Sequence, residues 1–301
     1  MNKPSDMSFL FDLEDKNAYE CWRNQKLRGY PEKVESLLIK ISDFQNPSDS
    51  EVTALKECIN KTNMALYSCT RGNVDDVGST KRAISTLGLL MGLKTLDSNL
   101  CSDEDDYTFL SVSEDIRKSR YIPYTNKPIN WHTDGYYNSA DRKIRGMGLH
   151  CISPAAVGGE NALMDPEIVY ILLREENPDF IRALTHPKAM EIPENNEGDI
   201  NIRAVQSGPV FSLFKDDATL HMRYTARTRS IKWRQDKVTT AAVKFLDNLL
   251  NSDSSFIFRY RMAAGEGILS NNVLHNRTGF EDDKIRQRLF LRARYFERIT
   301  I

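Results

Sequence analysis

The chain has 301 residues, 40% hydrophobic and 28% charged, an ordinary globular composition that excludes wholesale disorder. At about 150 residues per domain the length allows two domains, yet a β-barrel or sandwich of about 250 residues can be one. Lys and Arg number 41 against 42 Asp and Glu, so a net charge of −1 gives nucleic acid or an anionic membrane no electrostatic hold.

The five cysteines, Cys21, Cys58, Cys69, Cys101 and Cys151, are odd in number and include no CxxC pair. That suits neither a disulfide framework nor a zinc ribbon, and a chain of this size buries enough surface to fold without either. The N-terminus carries acidic residues and no apolar run of signal-peptide length, and no stretch of about 18 apolar residues occurs. The expectation is a soluble, cytoplasmic protein of a reducing compartment, with no membrane or nucleic-acid partner.

Residues 1–60 read as helical and amphipathic. Ser48 with Glu51 fits a capping box, and Val52, Leu55 and Ile59 follow at helical spacing. The acidic run 103–106 reads as a solvated loop. From about residue 107 the runs YTFLSVS, GMGLHCIS, ALM, PVFSLF, TLHMRYT, SFIFRYRM and GILSNNV are short, β-rich and punctuated by Gly, Pro, Asn or Asp, which are strand signals. One helix opens at Asp165-Pro166, with Asp as cap and Pro at the first position, and breaks at Asn177-Pro178. Another covers 236–250, where Val238, Ala241, Ala242, Phe245, Leu246 and Leu249 recur at helical spacing. The fold class is therefore mainly β with flanking helices: an antiparallel barrel or sandwich buttressed by the N-terminal helices.

Chemistry concentrates in two places. Trp131-His132-Thr133-Asp134 sets an imidazole and a carboxylate two residues apart, and on a strand i and i+2 share a face. His275, in Val273-Leu274-His275-Asn276-Arg277-Thr278, offers a third ligand. Two His and one carboxylate make the facial triad that leaves open positions on non-haem Fe(II). Alone, HxD is a common accident. The alternating segment Arg288–Tyr295 adds weight: one face carries Arg288, Phe290, Arg292 and Arg294, the other Leu289, Leu291, Ala293 and Tyr295. The bland reading is a strand with a solvated arginine face. The functional one is a guanidinium reaching into a barrel to hold a dicarboxylate in bidentate fashion; a 2-oxo acid chelating iron would present its far carboxylate there.

Here the sequence resembles the taurine dioxygenase-like (TauD/TfdA-type) superfamily of Fe(II)/2-oxoglutarate dioxygenases, most of all the γ-butyrobetaine hydroxylase branch. The motifs run in family order: Tyr124-Thr125-Asn126, Trp131-His132-Thr133-Asp134, Leu149-His150-Cys151-Ile152, Gly158-Gly159-Glu160-Asn161, Val273-Leu274-His275-Asn276-Arg277-Thr278 and the Arg288/Arg292 pair, covering roughly 105–300. The resemblance implies a double-stranded β-helix (jelly roll, cupin-like) in a single domain over 1–301, with a helical buttress over 1–100 and the core over 105–300. It implies His132, Asp134 and His275 as metal ligands, Arg288 for the distal carboxylate of 2-oxoglutarate, and Arg292 and Asn161 as further cosubstrate contacts; Asn161 departs from the usual Thr. The cosubstrates would be 2-oxoglutarate and O2, released as succinate and CO2. Because Asp134 is retained where related halogenases lose it, hydroxylation of a small polar metabolite is the expected outcome. Relatives often associate, so a homodimer is expected.

His150 reads as a packed strand histidine, His186 as a loop residue, and His221 as strand packing with pocket lining as the alternative. Tyr124, Asn126, Tyr136 and Tyr137 are candidate substrate contacts, weighed against plain barrel packing. Arg223, Arg227, Arg229, Lys232 and Arg234 read as solvated surface, with an anion-attracting lid as the alternative. Two other functions stay open at this point: a non-catalytic jelly-roll binding module, and a metal-dependent hydrolase or isomerase that makes no use of 2-oxoglutarate.

Overall fold

The computed structural model describes residues 7–69, 77–98, 105–197, 200–214, 216–227, 229 and 231–301. Cys101, Asp103 and Glu104 lie outside them. Among the described residues there are six α-helices: α1 (Lys16–Leu27), α2 (Asp49–Thr62), α3 (Val77–Leu90), α4 (Pro166–Glu176), α5 (Pro178–Leu184) and α6 (Lys237–Leu250). The chain divides into two compact units. Unit 1 is Met1–Tyr30, Trp131–Lys143 and Met164–Ile257; unit 2 is Pro31–Asn130, Ile144–Leu163 and Phe258–Ile301.

Unit 2 is built on a six-stranded sheet in the order Leu38–Ile41, Met64–Cys69, Glu266–Ser270, Gly146–Ser153, Leu289–Tyr295, Thr108–Leu110. The first pair is parallel and the others antiparallel. The first two strands lie where the sequence reads as helical. LIKI and MALYSC show no alternation, and a short continuous apolar run does not tell a buried strand from a buried helix. The capping box of α2 forms as expected: Glu51 N–H donates to Ser48 Oγ, and Ser48 N–H donates to the Glu51 carboxylate. That carboxylate also accepts from Ser42 N–H, and these backbone donors hold its pKa down at about 2.

Side-chain alternation gives this sheet two unlike faces. One packs on α2 and α3: Ala65, Tyr67, Leu269, Leu291, Ala293 and Tyr295 meet Leu55, Ile59, Ala83, Ile84 and Leu87 in one buried cluster. Tyr67 crosses the strand pair over Gly267, where a Cβ would lie 2.2 Å from its ring. His150, paired with Gly267 and Leu291, belongs to the same face. Its Nδ1 is hydrogen-bonded to Tyr67 Oη at 3.0 Å, and its ring stacks on Phe44 at 4.9 Å. The opposite face carries Phe290 and Arg292, cross-strand from Cys151 and Leu149. His150 is thus a core histidine, turned away from the face that presents the arginine.

Unit 1 holds α1, α4, α5 and α6 with three small sheets. Met190–Ile192 lies between Gln206–Gly208 and Lys232–Trp233; Asn195–Glu197 pairs with Ile200–Arg203, and Phe211–Leu213 with Leu220–Met222. The two Pro-led helices begin as the sequence dictates: Asp165 caps α4 by accepting from Glu167 N–H, and Asn177 caps α5 by accepting from Asp179 N–H. Asp236 caps α6 through Val238 and Thr239 N–H. Beneath α4, Lys26 of α1 is buried between Asp165 (2.6 Å) and Glu167 (2.9 Å). Burial alone would push its pKa down, and the two carboxylates more than offset that, so it is raised.

Burial pushes the His150 pKa down from 6.5 to about 4. Below pH 6.5 the unfolded chain takes up this proton while the folded chain refuses it until about pH 4, so stability falls across that window. The expected contribution is about 3 kcal/mol. Urea unfolding at pH 7 and pH 4.5 should show a steeper loss in the wild type than in His150→Phe; equal slopes would contradict the burial of a neutral imidazole.

Candidate active site and metal centre

In unit 1 the segment Trp131–Thr133 is laced to Tyr224–Ala226. Thr133 N–H donates to the Tyr224 carbonyl (3.0 Å), Ala226 N–H to the Trp131 carbonyl (2.8 Å) and Tyr224 N–H to Thr133 Oγ1 (3.1 Å). His132 and Thr225 form an antiparallel bridge between these bonds. The strand Ile129–His132 ends there, and the chain turns through Asp134 and Gly135, with Gly135 at φ +67°. Asp134 therefore sits in a turn, not on a shared strand face. The turn brings its Oδ1 back to 3.8 Å from His132 Nε2, with both side chains largely buried. Donors at about 2.1 Å from one ion in adjacent coordination positions are separated by roughly 3–4 Å, so this pair suits a common metal. Tyr136 stands edge-on to the His132 ring at 6.3 Å and edge-on to Tyr137 at 5.1 Å.

In unit 2, His275 lies on the strand Leu274–Arg277, buried, with Nδ1 2.9 Å from the Val273 carbonyl. A carbonyl only accepts, so Nδ1 carries the proton and Nε2 presents its lone pair. Two residues on, Arg277 is buried, with Nη2 donating to the Thr125 and Lys127 carbonyls and its Nε and Nη1 without a hydrogen-bond partner. Arg288 is 3% exposed, and its Nε and Nη1 are likewise buried without a partner. Its backbone N–H donates to Asp282 Oδ1 at 2.9 Å, but the guanidinium forms no ion pair among the described residues. The Phe280 ring centre lies 4.7 Å from the Arg277 guanidinium and 5.1 Å from that of Arg288, and the Phe290 ring centre lies 4.0 Å from Arg288. Burial lowers Arg288 to about 10; burial and then the Arg288 charge lower Arg277 to about 9. This is a desolvated double positive charge in want of an anion.

The loop beside Arg288 is held open by two glycines. Gly158 and Gly159 adopt φ +73° and +74°. A Cβ on Gly158 would lie 2.3 Å from the Gly279 carbonyl, and one on Gly159 would meet Arg288 Nε at 3.7 Å. Asn161, next in this segment, is buried. Its Nδ2 donates to the Asn276 carbonyl (3.0 Å), Ala162 N–H donates to Asn276 Oδ1 (3.1 Å), and Asn161 Oδ1 is unpartnered. Its spare atom is an acceptor, which suits an N–H or O–H and not a carboxylate. Asn161 thus braces the strand that carries His275. Arg292 is half-buried on the arginine face. The solvated-face reading of this strand does not hold, since Arg294 is also buried and paired with Asp97.

Tyr124 is buried, with the Lys118 ammonium 5.7 Å from its ring centre. Asn126 is exposed and acts through its carbonyl, which accepts Phe280 N–H at 3.1 Å. His186 Nδ1 accepts Lys188 N–H at 3.0 Å, and His221 packs edge-on to Phe214 at 5.1 Å. The basic stretch is not uniformly solvated. Arg223 is buried and donates to the Tyr136, Met190 and Gln206 carbonyls, whereas Lys232 pairs with Glu191 and Arg234 with Asp236. Sequence reasoning singled out neither Arg277 nor Arg223 as a buried cation.

A sequence profile of the taurine catabolism dioxygenase TauD, TfdA family matches residues 27–294. The chain belongs to this family. The TauD/TfdA chain is 28% identical over 211 residues to a uridine-5′-phosphate dioxygenase of Streptomyces sp., covering 64% of this chain and 71% of that protein. Among solved structures it is similar to PvcB of Pseudomonas aeruginosa (TM-score 0.58, 12% identity, 86% and 85% of the two chains). It is also similar to the non-haem iron oxygenase OrfP in complex with Fe and α-ketoglutaric acid (0.56, 12%, 85% and 86%). These likenesses show the fold, the jelly roll of the cupin-like oxygenases. The match is to the family; nothing in it singles out the γ-butyrobetaine hydroxylase branch. The TauD/TfdA protein is a non-haem Fe(II)/2-oxoglutarate-dependent dioxygenase that also consumes O2. Among its described residues no helix is long and apolar enough to cross a membrane.

Arg288 is held at a cost to the unliganded fold. Replacing it by Met, which fills the same space without the charge, should leave stability unchanged or raise it by about 1 kcal/mol, because relief of the desolvation outweighs the forfeited attraction to the Phe280 and Phe290 rings. Urea midpoints of the two proteins without 2-oxoglutarate measure this. A drop in stability beyond about 1 kcal/mol would mean that the guanidinium has a structural partner.

Proposed function

We propose that His132, Asp134 and His275 hold the catalytic ferrous ion and that Arg288 receives the distal carboxylate of 2-oxoglutarate. The reaction we infer inserts one oxygen atom of O2 into a C–H bond of a small polar metabolite. Substrate, 2-oxoglutarate and O2 give hydroxylated substrate, succinate and CO2. The observation that carries the ligand assignment is the His132–Asp134 pair, whose donor atoms are 3.8 Å apart at the end of a clamped strand. Two imidazoles and one carboxylate form a donor set that could hold a metal ion, and it is the set that suits Fe(II) with positions left open for cosubstrates.

When bound, the ferrous ion supplies O2 activation coupled to the oxidative decarboxylation of 2-oxoglutarate. The chain's own residues do the positioning. Val273 fixes the His275 tautomer, so that Nε2 is the ligating nitrogen. Arg288, whose Nε and Nη1 have no partner in the protein, offers its guanidinium to a carboxylate, and Arg277 adds to the field that makes an anion welcome. Arg292 and Asn161 line the same cosubstrate region in this reading, Asn161 by bracing Asn276. Tyr136 and Tyr137 face the substrate, with Tyr124 and Asn126 as further contacts. The profile match runs through both units, which supports one dioxygenase domain over 1–301. We infer a cytoplasmic homodimer; the cysteines Cys21, Cys58, Cys69 and Cys151 are free, as a reducing compartment would keep them.

His132→Ala and Asp134→Ala should each abolish Fe(II)-dependent succinate formation, and chelation of the metal should do the same to the wild type, reversibly. Arg288→Met should raise the KM for 2-oxoglutarate by about 30-fold or more, as removal of a buried charge partner does, with the protein still folded. Succinate release that persists in either ligand variant, or a 2-oxoglutarate KM unmoved in Arg288→Met, would overturn the assignment.

A further inference from the structure

Unit 1 holds a second gathering of cations, on the His132 side of the chemistry. Lys143, Arg203, Arg223 and Arg227 make no ion pair with an acid among the described residues. Arg223 spends its donors on three backbone carbonyls, so it contributes charge and a fixed frame. Lys143 donates to Ser212 Oγ at 3.0 Å. The other two keep donors in reserve. Arg203 donates Nη2 to the Pro193 carbonyl, stands 5.8 Å from the Tyr137 ring and has Nη1 buried without a partner. Arg227 is exposed, 5.7 Å from the Tyr136 ring. Tyr136 and Tyr137 touch edge-to-face, and Tyr136 touches His132. A continuous path thus runs from a ligand histidine, over two phenol rings, to two guanidinium groups.

We propose that Arg203 and Arg227 form an anion subsite for the primary substrate, and that the anion is a phosphate monoester. The proposal rests on the dioxygenase reading above and adds the substrate class. Two guanidinium groups with no acid beside them are neutralised by a dianion and only half neutralised by a carboxylate, and their planar forks match phosphate oxygens. The fixed charge of Arg223 deepens the field: burial and then the Arg203 charge lower it to about 10, and burial and then the Arg223 charge lower Lys143. Tyr136 and Tyr137 supply the flat apolar wall against which the carbon skeleton lies, holding its C–H bonds toward His132. Of the basic stretch after Arg223, Lys232 and Arg234 are neutralised by Glu191 and Asp236, and Arg229 is exposed.

The test uses the full chain loaded anaerobically with Fe(II) and 2-oxoglutarate. Inorganic phosphate and acetate are titrated by calorimetry into the wild type, Arg203→Gln and Arg227→Gln, and the visible charge-transfer band of the 2-oxoglutarate complex is recorded for each. Phosphate should bind the wild type at least about tenfold tighter than acetate, each variant should lose about tenfold in phosphate affinity, and the band should be unchanged in both. Equal binding of phosphate and acetate, or variants that bind phosphate like the wild type, would overturn the subsite. Arg227 is exposed, so its variant reports even if Arg203→Gln unfolds. A wild type without the band counts against the dioxygenase assignment instead, while the phosphate titration still judges the subsite.

Discussion

A buried guanidinium without a carboxylate is the constraint around which unit 2 is arranged. Water would solvate Arg288 far better than the protein does, and the drop of its pKa to about 10 records that difference. The fold tolerates the charge because the geometry is overdetermined. Phe280 and Phe290 lie beside the guanidinium, the Asp282 side chain fixes the Arg288 backbone, and the Gly158-Gly159 turn packs Gly158 against the Gly279 carbonyl and sets Gly159 beside Nε. Such a site is preorganised for an anionic ligand: the desolvation is already suffered before binding, so an incoming carboxylate regains it as affinity.

The strand that follows Arg288 shows how the face beside it is fixed. Leu291, Ala293 and Tyr295 enter the cluster beneath α2 and α3, where Leu55, Ile59, Ala83 and Leu87 meet them. Burial of that face fixes the register, because a slip of one residue would drive arginines into the apolar cluster. The same register commits Phe290 and Arg292 to the other face. Hydrophobic packing on one side of the sheet thus sets which side chains the other side presents, and it leaves His150 on the helix side with Phe44 and Tyr67.

Much of this was legible in the sequence, for reasons that differ from element to element. The helices announced by Asp165-Pro166, Asn177-Pro178 and Asp236 begin there because local hydrogen bonds suffice to start them. The alternation holds over Phe290–Tyr295, where each face has a distinct partner; between Leu289 and Phe290 the register with the neighbouring strand shifts. Met64–Cys69 was not legible as a strand, since a strand covered on both sides loses the alternation that would reveal it, and Leu38–Ile41 is too short a run to show a period. At the candidate site, the nearness of His132 and Asp134 was expected from the wrong geometry: a turn at Gly135, not a strand repeat, returns the carboxylate. Arg277 and Arg223 were missed because nothing local distinguishes a buried arginine from a solvated one; what buries them is contact with carbonyls distant in sequence, Thr125 and Lys127 for one, Met190 and Gln206 for the other.

Those two arginines share a device that extends the opening constraint to unit 1. Arg223 gives all three guanidinium nitrogens to backbone carbonyls, and Arg277 gives Nη2 to two carbonyls and leaves Nε and Nη1 unpartnered; neither donates to an acid, so in neither is the charge cancelled. A carboxylate in the same position would satisfy the donors equally well and abolish the field. The distinction matters for a chain whose net charge is only −1: overall neutrality does nothing to draw a dicarboxylate to it, so attraction must come from local cations kept from local acids. Carbonyl clamping keeps them so, because a carbonyl has a dipole strong enough to hold an arginine and too weak to neutralise it. The field near each of these arginines is therefore a property of how it is bonded.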